Sequence, residues 1–171
     1  MPNSWRPWAD RGMAHSYTAV VHWARGDDAF AGQRYSRAHL WSFDGGTEVP
    51  ASASPLHVRA PFSRADAVDP EEAFVAALSS CHMLFFLNFA AAGGYVVDSY
   101  RDEAVGRMGR DAAGAEFIET VTLDPAVGFS GDRLPDAAAM ADLHHRSHAA
   151  CYLANSVRSE VVVAGLSRHV A

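Results

Sequence analysis

Residues 69–94, DPEEAFVAALSSCHMLFFLNFAAAGG, decide the fold. Asp69 is an N-cap residue type, Pro70 suits the first helical position, and Glu72 stands three places after Asp69, the arrangement of a capping box. Gly93 and Gly94 supply the stop. Between these signals the stretch is apolar on every side, which predicts a helix buried at the centre of a soluble fold. Its length also matches a bilayer span, roughly 20 residues for about 30 Å. Ser79, Ser80, His82 and Asn88 interrupt it, Asp69, Glu71 and Glu72 flank it, and no arginine cluster anchors either end, so no membrane partner is expected.

Upstream, 15–24 and 34–43 place aromatic and β-branched residues at alternate positions on either side of the polar link GDDAFAG, which predicts an antiparallel pair. FDGG at 43–46 signals a turn, and 51–63 holds two prolines in an irregular stretch. Downstream, 95–109 and 116–129 read as strands around a DAAG turn, Pro135 and Asp136 open a second helix reaching to near Asn155, and 157–166 closes the chain as a strand. Long helices separated by antiparallel pairs make an α+β fold. The 171 residues are expected to form one domain over 15–171 after an extension, 1–14. A chain of this size buries roughly 70% of its unfolded surface and needs no disulfide or structural metal to build a core. The extension lacks the apolar run of a secretory signal, so a cytoplasmic location with reduced thiols is expected.

All 14 basic residues are arginine, which excludes Schiff-base lysine chemistry, pyridoxal enzymes and a P-loop. A net charge of −6 with no basic run argues against nucleic acid.

Reactive side chains concentrate on the two expected helices. Cys81 lies mid-helix; as a plain core residue it would be inert, and to react it needs a cation nearby, which the adjacent His82 supplies poorly because it points about 100° away. Cys151 follows 70 residues later, and no CxxC is present. His144, His148 and Cys151 fall at i, i+4 and i+7, a stripe that could hold zinc or simply rim the core with polar groups. Two cysteines on two helices could instead reduce peroxides: one thiolate becomes a sulfenic acid and the second condenses with it to a disulfide. That chemistry needs an arginine to hold the thiolate and a carboxylate to orient the arginine. Arg37, among Tyr35, His39 and Trp41 in an expected strand, and Glu71, ten residues before Cys81, are candidates.

DPEEAFVAALSSCHML at 69–84 resembles the central-helix motif of the OsmC/Ohr family (osmotically inducible protein C and organic hydroperoxide resistance protein), and HAACYLANSV at 148–157 is similar to that family's second cysteine motif. The resemblance covers nearly the whole chain from about residue 15. It implies antiparallel sheets around two long helices in an intertwined homodimer, with no metal, flavin or haem. It matches Cys81 to the peroxidatic cysteine, Cys151 to the resolving cysteine joined to it in a disulfide, and Glu71 to the carboxylate that pairs with the arginine. The arginine is Arg37 by the Ohr pattern, in RYSRAHLW, or Arg59 by the OsmC pattern, in SPLHVRAP; the prolines around Arg59 favour Arg37. The implied activity is thiol-dependent reduction of organic hydroperoxides, with a lipoyl-type dithiol as reductant. Two departures, the absence of a glycine-rich arginine motif and Tyr152 in place of proline, mark a divergent subgroup. A non-enzymatic redox sensor or binder on the same fold, or a metal protein using His144, His148 and Cys151, are the alternatives.

Overall fold

The apolar stretch forms a 23-residue helix, α1 (Pro70–Ala92), in the computed structural model, which describes residues 15–165 and the strand at 169–170. The extension 1–14 lies outside the described residues. The helix begins at the expected proline and stops where Gly94 adopts φ +75°. The chain divides into two compact units, one up to Pro70 and one from Glu71 onward.

The first unit is built on a three-stranded antiparallel sheet of β1 (Ala19–His22), β2 (His39–Phe43) and β3 (Glu48–Ala51), in that order. The expected pairing is present, with Val20 opposite Ser42 and Val21 opposite Trp41, and the turn after Phe43 closes with Gly46 at φ +82°. Both strands are shorter than the alternating pattern suggested. Ser36 N–H goes to the Asp28 carboxylate (2.7 Å) and Arg37 N–H to the Phe62 carbonyl (2.9 Å), so neither joins a ladder. Arg37 therefore stands in a loop ahead of β2, not in a strand. The edge strand β1 is exposed on both faces, Val20 at 63% and Val21 at 65%.

The second unit holds α1, α2 (Ala137–Ala150) and two further sheets. Where the sequence suggested two long strands there are four: β4 (Val96–Asp102), β5 (Val105–Arg110), β6 (Glu116–Leu123) and β7 (Pro125–Ser130). Asp102 accounts for both breaks. Its carboxylate accepts the Ser79 hydroxyl of α1 (2.5 Å) and the Asp124 N–H between β6 and β7 (2.7 Å), pinning both corners to the helix. β5 and β6 form a hairpin around the DAAG turn. The closing strand is β8 (Glu160–Val163), parallel to β6, and β9 (His169–Val170) runs parallel to β7. The sheets are thus ordered β5-β6-β8 and β4-β7-β9.

The two halves of α1 serve two cores. Leu78 packs with Val121 and Leu123 of the β5-β6-β8 sheet, while Phe86 and Ala90 pack with Val127 and Phe129 of β7 and Met140 and Leu143 of α2. Among the described residues α1 is the one helix long and apolar enough to cross a membrane; one stripe of it packs into the two cores, while Ala76, Ala77, Ser80 and Leu84 are exposed, so it is not enclosed on every side as its apolar sequence suggested. Asp136 caps α2 by accepting Ala139 N–H (2.8 Å). The helix ends at Ala150, earlier than expected, because Cys151 turns extended at φ −64°, ψ 113°.

Close approach of α1 to β5 depends on Gly106, where an added Cβ would lie 2.6 Å from Val75 Cγ2. Gly106→Val should destabilise the protein by about 1–3 kcal/mol, lowering its melting midpoint by several degrees in a circular-dichroism scan. An unchanged midpoint would show that α1 does not rest on this strand.

Candidate active site

Buried stripes on α1 and α2 build the site. On α1, Leu78, His82, Phe86 and Ala90 recur at intervals of four and all are buried. Cys81 is beside that stripe and half-buried. On α2 the stripe is Met140, His144 and Ser147, continued by Cys151 just past the helix end, where it is 1% exposed.

Backbone bonds hold Cys151 at this position. Its N–H donates to the His148 carbonyl (3.2 Å), its carbonyl accepts Asn155 N–H (3.1 Å), and Ala154 N–H points at its sulfur (3.4 Å). The Asn155 side-chain amide donates to the Ala149 carbonyl (3.0 Å), satisfying one of the orphan carbonyls of the helix terminus, which is a physical reason for asparagine four places after the cysteine. Burial pushes the Cys151 thiol up to about 11, and the side chain of Cys81 acts on it directly in the same direction, by hydrogen bonding and by charge. The structure therefore brings Cys81 and Cys151 together. Phe85, one turn after Cys81, meets the exposed Tyr152 edge-on at 5.1 Å, an aromatic wall beside the thiols that Tyr152 makes in place of proline.

His82 and His144 are buried as a pair. His82 Nε2 and His144 Nδ1 are 3.1 Å apart, and the near-parallel rings have centroids 5.4 Å apart. Burial holds His82 down to about 4, with the charges of His144 and His148 adding to the effect, and burial alone holds His144 down to about 4. The histidine pairing was not evident from sequence, although the four-residue recurrence through Leu78, His82 and Phe86 was the signal that His82 faces the core.

The zinc alternative at His144, His148 and Cys151 is not assembled. Cys151 has left the helix and turns to Cys81, while His144 turns to His82. No group of three or more His, Cys, Asp or Glu among the described residues is arranged to hold a metal ion.

Glu71 lies half-buried in the first turn of α1, in the second unit. Both candidate arginines belong to the first unit. Arg37 is half-buried: its Nη1 donates to the carbonyls of Gln33 (2.8 Å) and Tyr35 (2.5 Å), and its guanidinium lies 3.9 Å from the Tyr35 ring centroid. It lines a cavity of about 400 Å³ with Val21, Trp23, Phe30, Tyr35 and His39. Arg59 is exposed in the irregular stretch.

Residues 63–164 match the sequence model of the family described as OsmC-like protein. The chain belongs to the OsmC-like family. This OsmC-like protein is 47% identical to an OsmC-like protein of unknown function from Vibrio cholerae, whose structure superposes with a TM-score of 0.86 over 92% of this chain and 100% of that one. Its fold is shared with an organic hydroperoxide resistance protein from Elizabethkingia anophelis (15% identity, TM-score 0.62, 94% and 98% coverage) and with the organic hydroperoxide resistance protein OhrB of Bacillus subtilis (15%, 0.58, 91% and 96%). No curated protein matches the chain.

The unequal environments of the two thiols predict unequal labelling. At pH 7.5 a thiol held at about 11 is roughly 0.03% thiolate, so iodoacetamide should modify Cys81 well ahead of Cys151 in the native OsmC-like protein and reach Cys151 only after denaturation. Peptide mass mapping checks this; equal labelling of the two would contradict the buried placement of Cys151.

Proposed function

We propose that the protein is a cytoplasmic thiol peroxidase that reduces organic hydroperoxides to alcohols. The observation that carries this reading is the pair of unequal, interacting thiols, half-buried Cys81 and buried Cys151, on an OsmC-like scaffold. The likeness to organic hydroperoxide resistance proteins supports the same redox role.

The Cys81 thiolate attacks the terminal oxygen of ROOH. The O–O bond breaks, RO⁻ leaves and takes a proton to become ROH, and Cys81 becomes a sulfenic acid. The Cys151 thiol then displaces hydroxide from that sulfur, giving the Cys81–Cys151 disulfide and water. An external dithiol of the lipoyl type restores both thiols and is itself oxidised to a disulfide. Arg37 supplies the cation that holds the thiolate and polarises the peroxide, and Glu71 orients Arg37, within an intertwined homodimer. The half-buried, carbonyl-anchored Arg37 suits this role better than the exposed Arg59. The aromatic wall of Phe85 and Tyr152 favours an apolar hydroperoxide over hydrogen peroxide.

Turnover of cumene hydroperoxide with dihydrolipoamide tests the reading. Cys81→Ser should leave less than about a tenth of the activity, because a serine hydroxyl is not ionised at neutral pH. Cys151→Ser should leave an oxygen adduct on Cys81, seen by mass spectrometry after one equivalent of peroxide, where the wild type shows the disulfide. Arg37→Ala should slow the reaction about 10- to 100-fold and Arg59→Ala hardly at all, which separates the two arginines. Oxidation of Cys81 without turnover would instead make the protein a redox sensor.

A further inference from the structure

The same two helices that carry the thiols carry the buried histidine pair. His82 follows Cys81 on α1, and His144 precedes Cys151 by two turns on α2. Their hydrogen bond of 3.1 Å ties one helix to the other through rings that are 1% and 0% exposed. With both rings neutral, one N–H lies between them. Of the two outer nitrogens, His82 Nδ1 and His144 Nε2, one is then a donor and the other an acceptor, and neither has a partner among the described residues.

We propose that His82 and His144 are positioning residues that hold Cys81 against Cys151 until both rings are protonated, so that acid separates the two thiols. A first added proton puts a cation into the packing of Phe86, Met140 and Leu143; a second sets N–H against N–H and abolishes the tie. The surroundings offer no compensation. His148, one turn beyond His144 on α2, acts on His82 as a further positive charge, and its Nδ1 is also buried without a partner. From β4, Tyr100 packs on Phe86 with its hydroxyl buried and unpartnered, and β7 contributes apolar Val127 and Phe129. No carboxylate acts on either ring among the described residues.

Acid favours the separated arrangement because solvated imidazole holds a proton at ordinary affinity, near 6.5, and the buried rings do so only at about 4. Between those values each unit fall in pH shifts the balance up to about tenfold per ring toward separation. The consequence for peroxide reduction rests on the peroxidase reading, whereas the separation itself does not.

The test uses 4,4′-dithiodipyridine on the full chain. Cys81 forms a mixed disulfide with the reagent and releases one thiopyridone. Cys151 then either displaces the second thiopyridone from Cys81, closing the internal disulfide, or reacts with another reagent molecule. Both fates draw on the same Cys151 thiolate and expel thiopyridone from a pyridyl disulfide, and a double variant lacking both histidines, at the same pH, corrects for protonation of the pyridyl rings. At pH 7 the wild type should give the internal disulfide, and at pH 4.5 the share of doubly modified chain, read by intact mass, should rise at least tenfold. The double variant His82→Leu with His144→Phe should close the disulfide at both pH values. A wild type that closes it as fully at pH 4.5, or a double variant that switches as the wild type does, overturns the proposal. Imidazole nitrogen NMR of the wild type decides without any variant: rings neutral down to about pH 5 support it, and titration near 6.5 overturns it. A protein that switches but turns over no hydroperoxide loses the peroxidase reading alone.

Discussion

Burial of one stripe of α1, running from Leu78 through His82 and Phe86 to Ala90, is the constraint on which the second unit depends; Leu84, off that stripe, is 53% exposed. One core does not cover that stripe: the β5-β6-β8 sheet covers Leu78, while β7 and α2 cover Phe86 and Ala90. The breaks at Asp102 and Asp124 let two hairpin-like pairs diverge and serve the two ends of the same helix. The position of Cys81 between Leu78 and Phe86 follows, since it is where the two coverings meet along the chain.

Within that frame the buried polar groups are few, and several are paired. Ser79 goes to Asp102, Ser147 donates back to the Leu143 carbonyl (2.6 Å), and His82 meets His144. The imidazole pair is the costly one, because its outer nitrogens lack partners among the described residues and an unpaired buried polar group costs about 1–3 kcal/mol. Phe86, its ring tilted by 31° and centred 4.6 Å from that of His144, keeps the apolar lining continuous around it.

Local signals with a single physical cause were legible in the sequence. The proline and glycines bounding α1, Asp136 as a cap, the DAAG turn and the β1–β2 pairing each depend on neighbours a few residues away. What failed depended on distant partners. Alternation through 34–43 suggested a strand, but Asp28 and Phe62 claim the backbone of Ser36 and Arg37. Helical periodicity ran on to Asn155, but the side chain of that residue caps the helix it was thought to belong to. The histidine stripe on α2 looked like a polar rim or a metal face, and only tertiary packing turns His144 inward to His82. Among the candidate site residues, the pairing of the cysteines came from resemblance; their spacing of 70 residues carries no geometry.

The two thiols differ in mechanical compliance as well as in exposure. Cys81 is mid-helix, its backbone locked by bonds in both directions, whereas Cys151 stands past the last regular turn of α2, ahead of the short 3₁₀ turn Ala154–Ser156, in a connection held by three backbone bonds and the Asn155 amide. Any change of sulfur-to-sulfur distance is absorbed on the Cys151 side, at the cost of a few terminal hydrogen bonds and none from the core helix. Cys81 is the fixed anvil of the pair and Cys151 the spring, and movement at Cys151 draws on the terminal bonds of α2, not on the hydrogen bonds of α1.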